Sequence, residues 1–236
     1  MDEKKQSKGL RRIKRMRSQL INQFDSVKEW RAYCFKTHRA YIKNPHFRKW
    51  VKQKEIDIFD FSKLKKRDIQ YIKIGMNDAI KSAKLHFKVH EIRDKKFHLD
   101  WTKNDILISD EILKMAIKKR KNHQKQNANV YLFNHALKTQ DAIIKDGEAL
   151  TYVSEGVMMF SFDSNISYAS SFFRRRAKHE ALHLLGLNFH HEDIEVKGYK
   201  NVPCVMSYNA PTQNLCRKCK DALLYFWKGI KHATEK

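Results

Sequence analysis

A chain of 236 residues, 42% hydrophobic and 11% aromatic, is long enough to bury a full core, and its composition excludes disorder throughout. No run approaches the roughly 20 apolar residues of a membrane helix, and Met1-Asp2-Glu3-Lys4-Lys5 lacks the apolar segment of a secretory signal, so an intracellular, cytoplasmic protein is expected. The net charge of +23 disfavours cationic partners and favours polyanions such as nucleic acid, unless it reflects only a lysine-rich solvated surface.

That charge is concentrated at the start, where residues 1–54 hold 17 Lys and Arg against 4 acids. Residues 1–18 are polar and basic and read as an arm with little to bury. From Gln19 to Ile42 apolar and aromatic residues (Leu20, Phe24, Val27, Trp30, Tyr33, Cys34, Tyr41) recur at helical spacing until Asn44-Pro45. The aromatics of this helix either pack it on the rest of the chain or, with Arg31, Arg39 and Lys43, offer a surface for nucleic acid. A charged link follows at Lys49 to Lys54.

Beyond it the pattern turns α/β. Ile56 to Phe61 alternates as a strand, Ile69 to Ala83 reads as a helix, and Leu85 to Ile92 alternates again. Ile106 to Lys119 reads as a helix and Val130 to Phe133 as a buried strand. Leu150 to Val153 and Gly156 to Phe162 read as two further strands, then come helices from Tyr168 to Leu185 and from Ala222 to Trp227. There is no internal repeat and no Gly- or Pro-rich linker.

The chemistry is concentrated in His179-Glu180-Ala181-Leu182-His183. Residues four apart share a helix face, so both imidazoles can reach one ion while Glu180 lands beside it. Zinc needs such neutral nitrogen donors with a position left open, and a nearby carboxylate serves as general base for hydrolysis. Gly186 stands where the helix must end and reverse, a place for positive φ, which lets a third imidazole from the His190-His191 pair come back to the metal. Met206 lies 15 residues beyond His191, within Cys204-Val205-Met206-Ser207-Tyr208. The order of zinc helix, glycine, third histidine and Met-turn describes the metzincin clan.

Of the four cysteines, Cys204, Cys216 and Cys219 crowd the C-terminal end, a Cys-x-x-Cys pattern that suits a metal knuckle better than a secreted disulfide framework, and Cys34 reads as a small half-buried side chain. With these residues the sequence resembles archaemetzincins over roughly residues 55–236. The resemblance implies a second, structural zinc held by the residue after the third His, by the Cys two before the Met-turn Met, and by the Cys-x-x-Cys pair. Here these are His191, Cys204, Cys216 and Cys219, with His191 replacing a thiol, and zinc accepts Cys₃His. Phe189 stands where the family places its third His, so a one-residue bulge is expected to bring His190 to the catalytic zinc while His191 faces the structural one. Twelve residues separate His191 from Cys204 and nine separate Met206 from Cys216, spacings that differ from the family's.

The expected fold is α/β: a metzincin-like zincin domain with a small twisted, mostly parallel sheet, an antiparallel edge strand, an active-site helix and a zinc-organised C-terminal subdomain. The expected domains are a basic extension at 1–54 and a peptidase domain at 55–236. The expected function is hydrolysis of peptide bonds with two Zn²⁺ ions, Glu180 as general base, and the peptide or protein substrate along an edge strand near Gly156 to Phe162. The alternative is a zinc-stabilised nucleic-acid-binding protein that cleaves nothing. Arg174-Arg175-Arg176 reads as a solvated face, or as a contact for an acidic substrate. Tyr208 reads as a transition-state hydrogen-bond donor or a residue of the turn. His46, His86, His90, His98, His123, His135 and His232 have no ligand-like spacing.

Overall fold

The computed structural model describes residues 22–92, 102–103, 106–122, 126–139, 143–144, 148–162, 167–210 and 212–235. The basic arm at 1–18, the start of the helix expected from Gln19, His98 and His123 lie outside them. In chain order the described elements are β1 (Asn22–Phe24), α1 (Val27–Ile42), α2 (Pro45–Gln53), β2 (Glu55–Phe61), α3 (Lys66–Ser82), β3 (Lys88–Ile92), β4 (Thr102–Lys103), β5 (Ile106–Ile108), α4 (Ser109–Asn122) and β6 (Ala128–Phe133). There follow β7 (Ala136–Lys138), β8 (Ile143–Ile144), β9 (Ala149–Tyr152), β10 (Val157–Ser161), α5 (Ser170–Leu184), β11 (Ile194–Val196) and α6 (Arg217–Thr234).

The main sheet has the order β3-β2-β6-β10-β9. β3, β2, β6 and β10 run parallel, and β9 returns antiparallel at the edge. This is the mostly parallel sheet with an antiparallel edge that the sequence led us to expect. Every residue of β6 and β10 is buried, as befits strands covered on both faces. Val130, Leu132, Met158 and Phe160 join the larger core with α1, α2, α3, α5 and α6. Tyr131, Phe133, Val157 and Met159 face a smaller core with Ile112 and Ala116 of α4 and Leu107 and Leu137 of a second sheet, β4-β5-β7-β8.

Helix α5 rests on α3, and the approach is close at Gly75: a methyl group there would stand 2.2 Å from the carbonyl oxygen of Arg174. Only a residue without Cβ lets α5 lie this deep. Asp78 of α3 pins the same contact by accepting from Arg174 at 2.8 Å, so Arg174, though still partly exposed, is tied to α3.

Several local expectations change. The helix expected from Gln19 begins at Val27, capped by the Ser26 side chain, which accepts from Glu29 N–H at 3.1 Å. The residues before it, Asn22–Phe24, pair instead as a strand with Ile194–Val196. The expected link at Lys49 to Lys54 belongs to α2 as far as Gln53. Asn44 caps that helix and Pro45 occupies its first turn, a position where the missing N–H costs nothing. Ile106–Ile108 is a strand that pairs with β7 before α4 starts. The C-terminal helix is longer than expected, because Cys216 caps it from outside the apolar run.

Trp30, Phe47 and Trp50 are fully buried in the main core, so the aromatics of α1 and α2 serve packing; Tyr33, at 47% exposure, is the exception. The helices of 27–53 therefore share the core of the strands that follow them. No helix among the described residues is long and apolar enough to cross a membrane.

Candidate metal centres

Two clusters of ligand-type side chains form, each with its donor atoms within 4.8 Å of one another: His179, His183 and His190, and His191, Cys204, Cys216 and Cys219. Adjacent residues feed separate clusters because His190 is extended, at φ −91° and ψ 158°, so successive side chains diverge. Among the described residues, none of His46, His86, His90, His135 and His232 joins either group.

In the first cluster the hydrogen bonds fix the tautomers. His179 Nδ1 donates to the carbonyl of Val205 at 2.6 Å, and His183 Nδ1 donates to the carbonyl of Leu187. A carbonyl only accepts, so in each neutral ring the proton sits on Nδ1 and Nε2 carries a lone pair. The two Nε2 atoms face each other at 3.1 Å. Two lone pairs aimed at one point with no hydrogen between them call for a cation. Burial, then the neighbouring His183, lowers the pKa of His179 to about 3, and the same two causes lower His190 to about 4. Both rings are thus neutral donors at pH 7, as a metal ligand must be.

The ring of His190 lies 5.3 Å from that of His179 and 5.0 Å from that of His183, centroid to centroid. Phe189, the residue at the position expected for histidine, turns away to an edge contact with Trp30 of α1 at 5.4 Å. Tyr208 stacks on His190 at 3.9 Å, and its hydroxyl donates to Asp193 at 3.0 Å. Asp193 also accepts from the backbone N–H of His190 at 3.0 Å. The Tyr208 hydroxyl is thus engaged in framing the histidine.

Glu180 is 5% exposed, and both of its oxygens have partners. Thr151 of the edge strand β9 donates to Oε2 at 3.3 Å, and the guanidinium of Arg176, one turn earlier on α5, lies 3.4 Å from Oε1. Neither contact to Glu180 was legible. Arg176 read as a solvated residue or a contact for an acidic substrate, and Thr151 is 29 positions away on another element.

Gly186 ends α5 with φ +105°, and a Cβ there would meet the Phe226 ring at 2.4 Å. Both facts demand glycine. Trp227 of α6 donates to the carbonyl of Leu185 at 2.9 Å, which holds the end of the histidine helix against α6.

The second cluster is buried at all four residues. His191 Nε2 donates to Asn201 Oδ1 at 2.9 Å, directing Nδ1 toward Cys216 Sγ at 3.3 Å and Cys219 Sγ at 3.7 Å. Cys204 Sγ accepts the backbone N–H groups of Cys216 at 3.4 Å and Met206 at 3.5 Å, and Cys216 Sγ accepts that of Cys219 at 3.4 Å. Hydrogen bonds from Cys216 and Cys219 draw the Cys204 thiol well below its usual range, and those with Cys204 and Cys216 push the Cys219 thiol up. Hydrogen bonds with Cys204 and Cys216 raise His191 to about 10. The shifts of Cys204 and His191 follow from one requirement: negative charge on buried sulfur needs positive charge beside it. A zinc ion meets that need with a closed Cys₃His set, and none of the four cysteines is in a disulfide.

The clusters are locked together by backbone. His191 N–H donates to the carbonyl of the buried Met206 at 2.8 Å. The buried Lys218, inside the Cys-x-x-Cys pair, donates from Nζ to the carbonyls of His191, at 2.8 Å, and of Ile194. Trp30 Nε1 donates to the carbonyl of Lys218 at 3.2 Å, and Arg31 donates to Asp221 at 2.7 Å. Helix α1 thereby holds the C-terminal helix that carries the thiols.

No protein-family model matches the sequence, and no curated protein matches it. Solved structures do. A zinc-dependent peptidase from Methanocorpusculum labreanum (strain Z) is 16% identical, with 71% of this chain and 99% of that chain covered and a TM-score of 0.49. Archaemetzincin from Methanopyrus kandleri is 13% identical, with 75% of this chain and 95% of that chain covered and a TM-score of 0.51. With its parallel sheet, antiparallel edge strand and histidine helix ending at Gly186, the chain has an archaemetzincin-like fold.

Proposed function

We propose that the chain is a zinc metallopeptidase of the metzincin type. The observation that carries this reading is the pair of imidazole Nε2 atoms of His179 and His183, 3.1 Å apart, joined by His190 and flanked by the buried carboxylate of Glu180. His179, His183 and His190 would hold the catalytic zinc, and His191, Cys204, Cys216 and Cys219 a structural one. When bound, the catalytic zinc supplies Lewis acidity at the scissile carbonyl and makes water acidic enough to deprotonate near neutral pH.

The chain's own residues do the rest. Glu180 is the general base: an oxygen of its carboxylate takes a proton from the attacking water and returns it to the nitrogen of the leaving amine. Thr151 orients that carboxylate through its hydroxyl. The peptide would lie extended along β9, since β9 is the sheet edge and carries Thr151 to Glu180. This moves the docking strand from the expected Gly156 to Phe162, whose β10 is an interior strand flanked by β6 and β9. The nucleic-acid alternative is not retained, since the aromatics that were to stack on bases are largely in the core.

The test is cleavage of an unstructured peptide library by zinc-loaded full-length protein, followed by mass spectrometry. Hydrolysis should stop on chelation of the exchangeable ion and return when zinc is restored. A zinc-loaded, folded protein that leaves every peptide intact would contradict the proposal.

A further inference from the structure

Beside His179 lies a cavity of about 320 Å³, walled by Phe172, Arg175 and Arg176 on α5 and by the turn Tyr208 to Ala210. Its size falls at the lower end of the ~300–1,000 Å³ typical of small-ligand clefts. Phe172, Arg175, Arg176 and His179 recur at intervals of three and four, so one face of α5 runs from the cavity to the histidine cluster. A peptide held at Glu180 would therefore place a neighbouring side chain at this opening.

The cavity's charge is one-sided. Arg175 has no carboxylate partner among the described residues, and Arg176 has the 3.4 Å contact with Glu180. The nearby acids Glu192 and Asp193 accept from the backbone and hydroxyl of Tyr208 and do not line the cavity. An aliphatic or aromatic occupant would desolvate the Arg175 guanidinium without pairing it, whereas a carboxylate matches its planar fork of donors. The aromatic rings of Phe172 and Tyr208 would pack against the occupant's methylene stem.

We infer that this cavity is a specificity pocket for an acidic side chain of the substrate, Asp or Glu, with Arg175 and Arg176 as the residues that select it. The inference rests on the peptidase reading of the histidine cluster and adds to it the substrate class. Arg176 would then serve two carboxylates in turn, Glu180 in the free protein and the substrate's side chain on binding.

The experiment uses zinc-loaded full-length protein and fluorescein-labelled, C-terminally amidated decapeptides of neutral sequence, in which a single Glu, Gln or Lys is walked through every position. Amidation removes the terminal carboxylate, and a matched set with free C-termini shows whether that group is the one bound. Binding is read by anisotropy on the Glu180→Gln protein, and cleavage is read as kcat/KM on the wild type. At one position Glu should bind roughly tenfold or more tighter than Gln, the scale of a charge-assisted hydrogen bond, and be cleaved with a similar advantage. Arg175→Glu should reverse the order to favour Lys, and Arg175→Gln, the milder change, should erase most of the Glu advantage. Equal binding of Glu and Gln at every position, or an advantage only for free C-termini, would overturn the pocket assignment. Cleavage without an acidic preference would overturn it and leave the peptidase reading standing. A preference in binding without cleavage would sustain the pocket and sink the peptidase reading.

Discussion

Replacing Glu180 by glutamine is expected to leave zinc content and thermal unfolding nearly unchanged while lowering kcat/KM on peptides by about 10²–10⁴-fold, the contribution of a general base. Glutamine keeps the shape of the buried side chain and can still accept from Thr151 Oγ1. What it loses is the ability to carry a proton. Arg176 would lose an ionic partner, but its side chain is 24% exposed and water takes over part of that role. Steady-state cleavage and metal analysis on the same preparation separate the outcomes. Loss of zinc along with activity would mean that Glu180 acts as a ligand or a structural residue, and unchanged activity would remove it from the chemistry.

His190→Ala is expected to empty the first cluster of zinc and abolish activity, while the second cluster keeps its ion. Two imidazoles alone leave a metal with too few protein donors to be held through dialysis. Phe189→Ala is the control. Its ring packs on Trp30 and is partly buried, so its removal should cost roughly 1–2 kcal/mol of stability and leave both ions in place. Zinc counted by inductively coupled plasma mass spectrometry should read one ion per chain for His190→Ala and two for Phe189→Ala. The reverse pattern would mean that the shifted histidine is not the third donor.

The histidine helix was legible because its information is local. His179, Glu180 and His183 are spaced by the helical repeat, and the positive φ at Gly186 follows from the need to end that helix sharply. The main sheet was legible because its strands alternate or run apolar and are separated by helical patterns. The strand Asn22–Phe24 was not, because three polar-to-aromatic residues have no strand signal of their own; what makes them a strand is pairing with Ile194–Val196, over 170 positions away. The second sheet escaped for the same reason, its strands being two or three residues long.

The supports of the site were hidden more deeply. Thr151 and Asn201 matter through single hydrogen bonds, and Asp193 through its bond from the Tyr208 hydroxyl, contacts that exist only once the chain is folded in space. Lys218 lies between Cys216 and Cys219, so its nearness could be read from the sequence, yet its burial against two carbonyls could not. The sheet edge was misplaced by one strand because β9 and β10 are adjacent in sequence and both largely apolar, and only the pairing order tells which is outermost.

The two metal centres are most directly tested by zinc stoichiometry with ligand identification: native mass spectrometry for the count and X-ray absorption at the zinc edge for the donors. Two ions per chain are expected in freshly reduced protein. One should be readily chelated, with nitrogen and oxygen donors only, and one tightly held, with three sulfurs and one nitrogen. A single ion, or a Cys216–Cys219 disulfide in place of the sulfur-bound one, would contradict it.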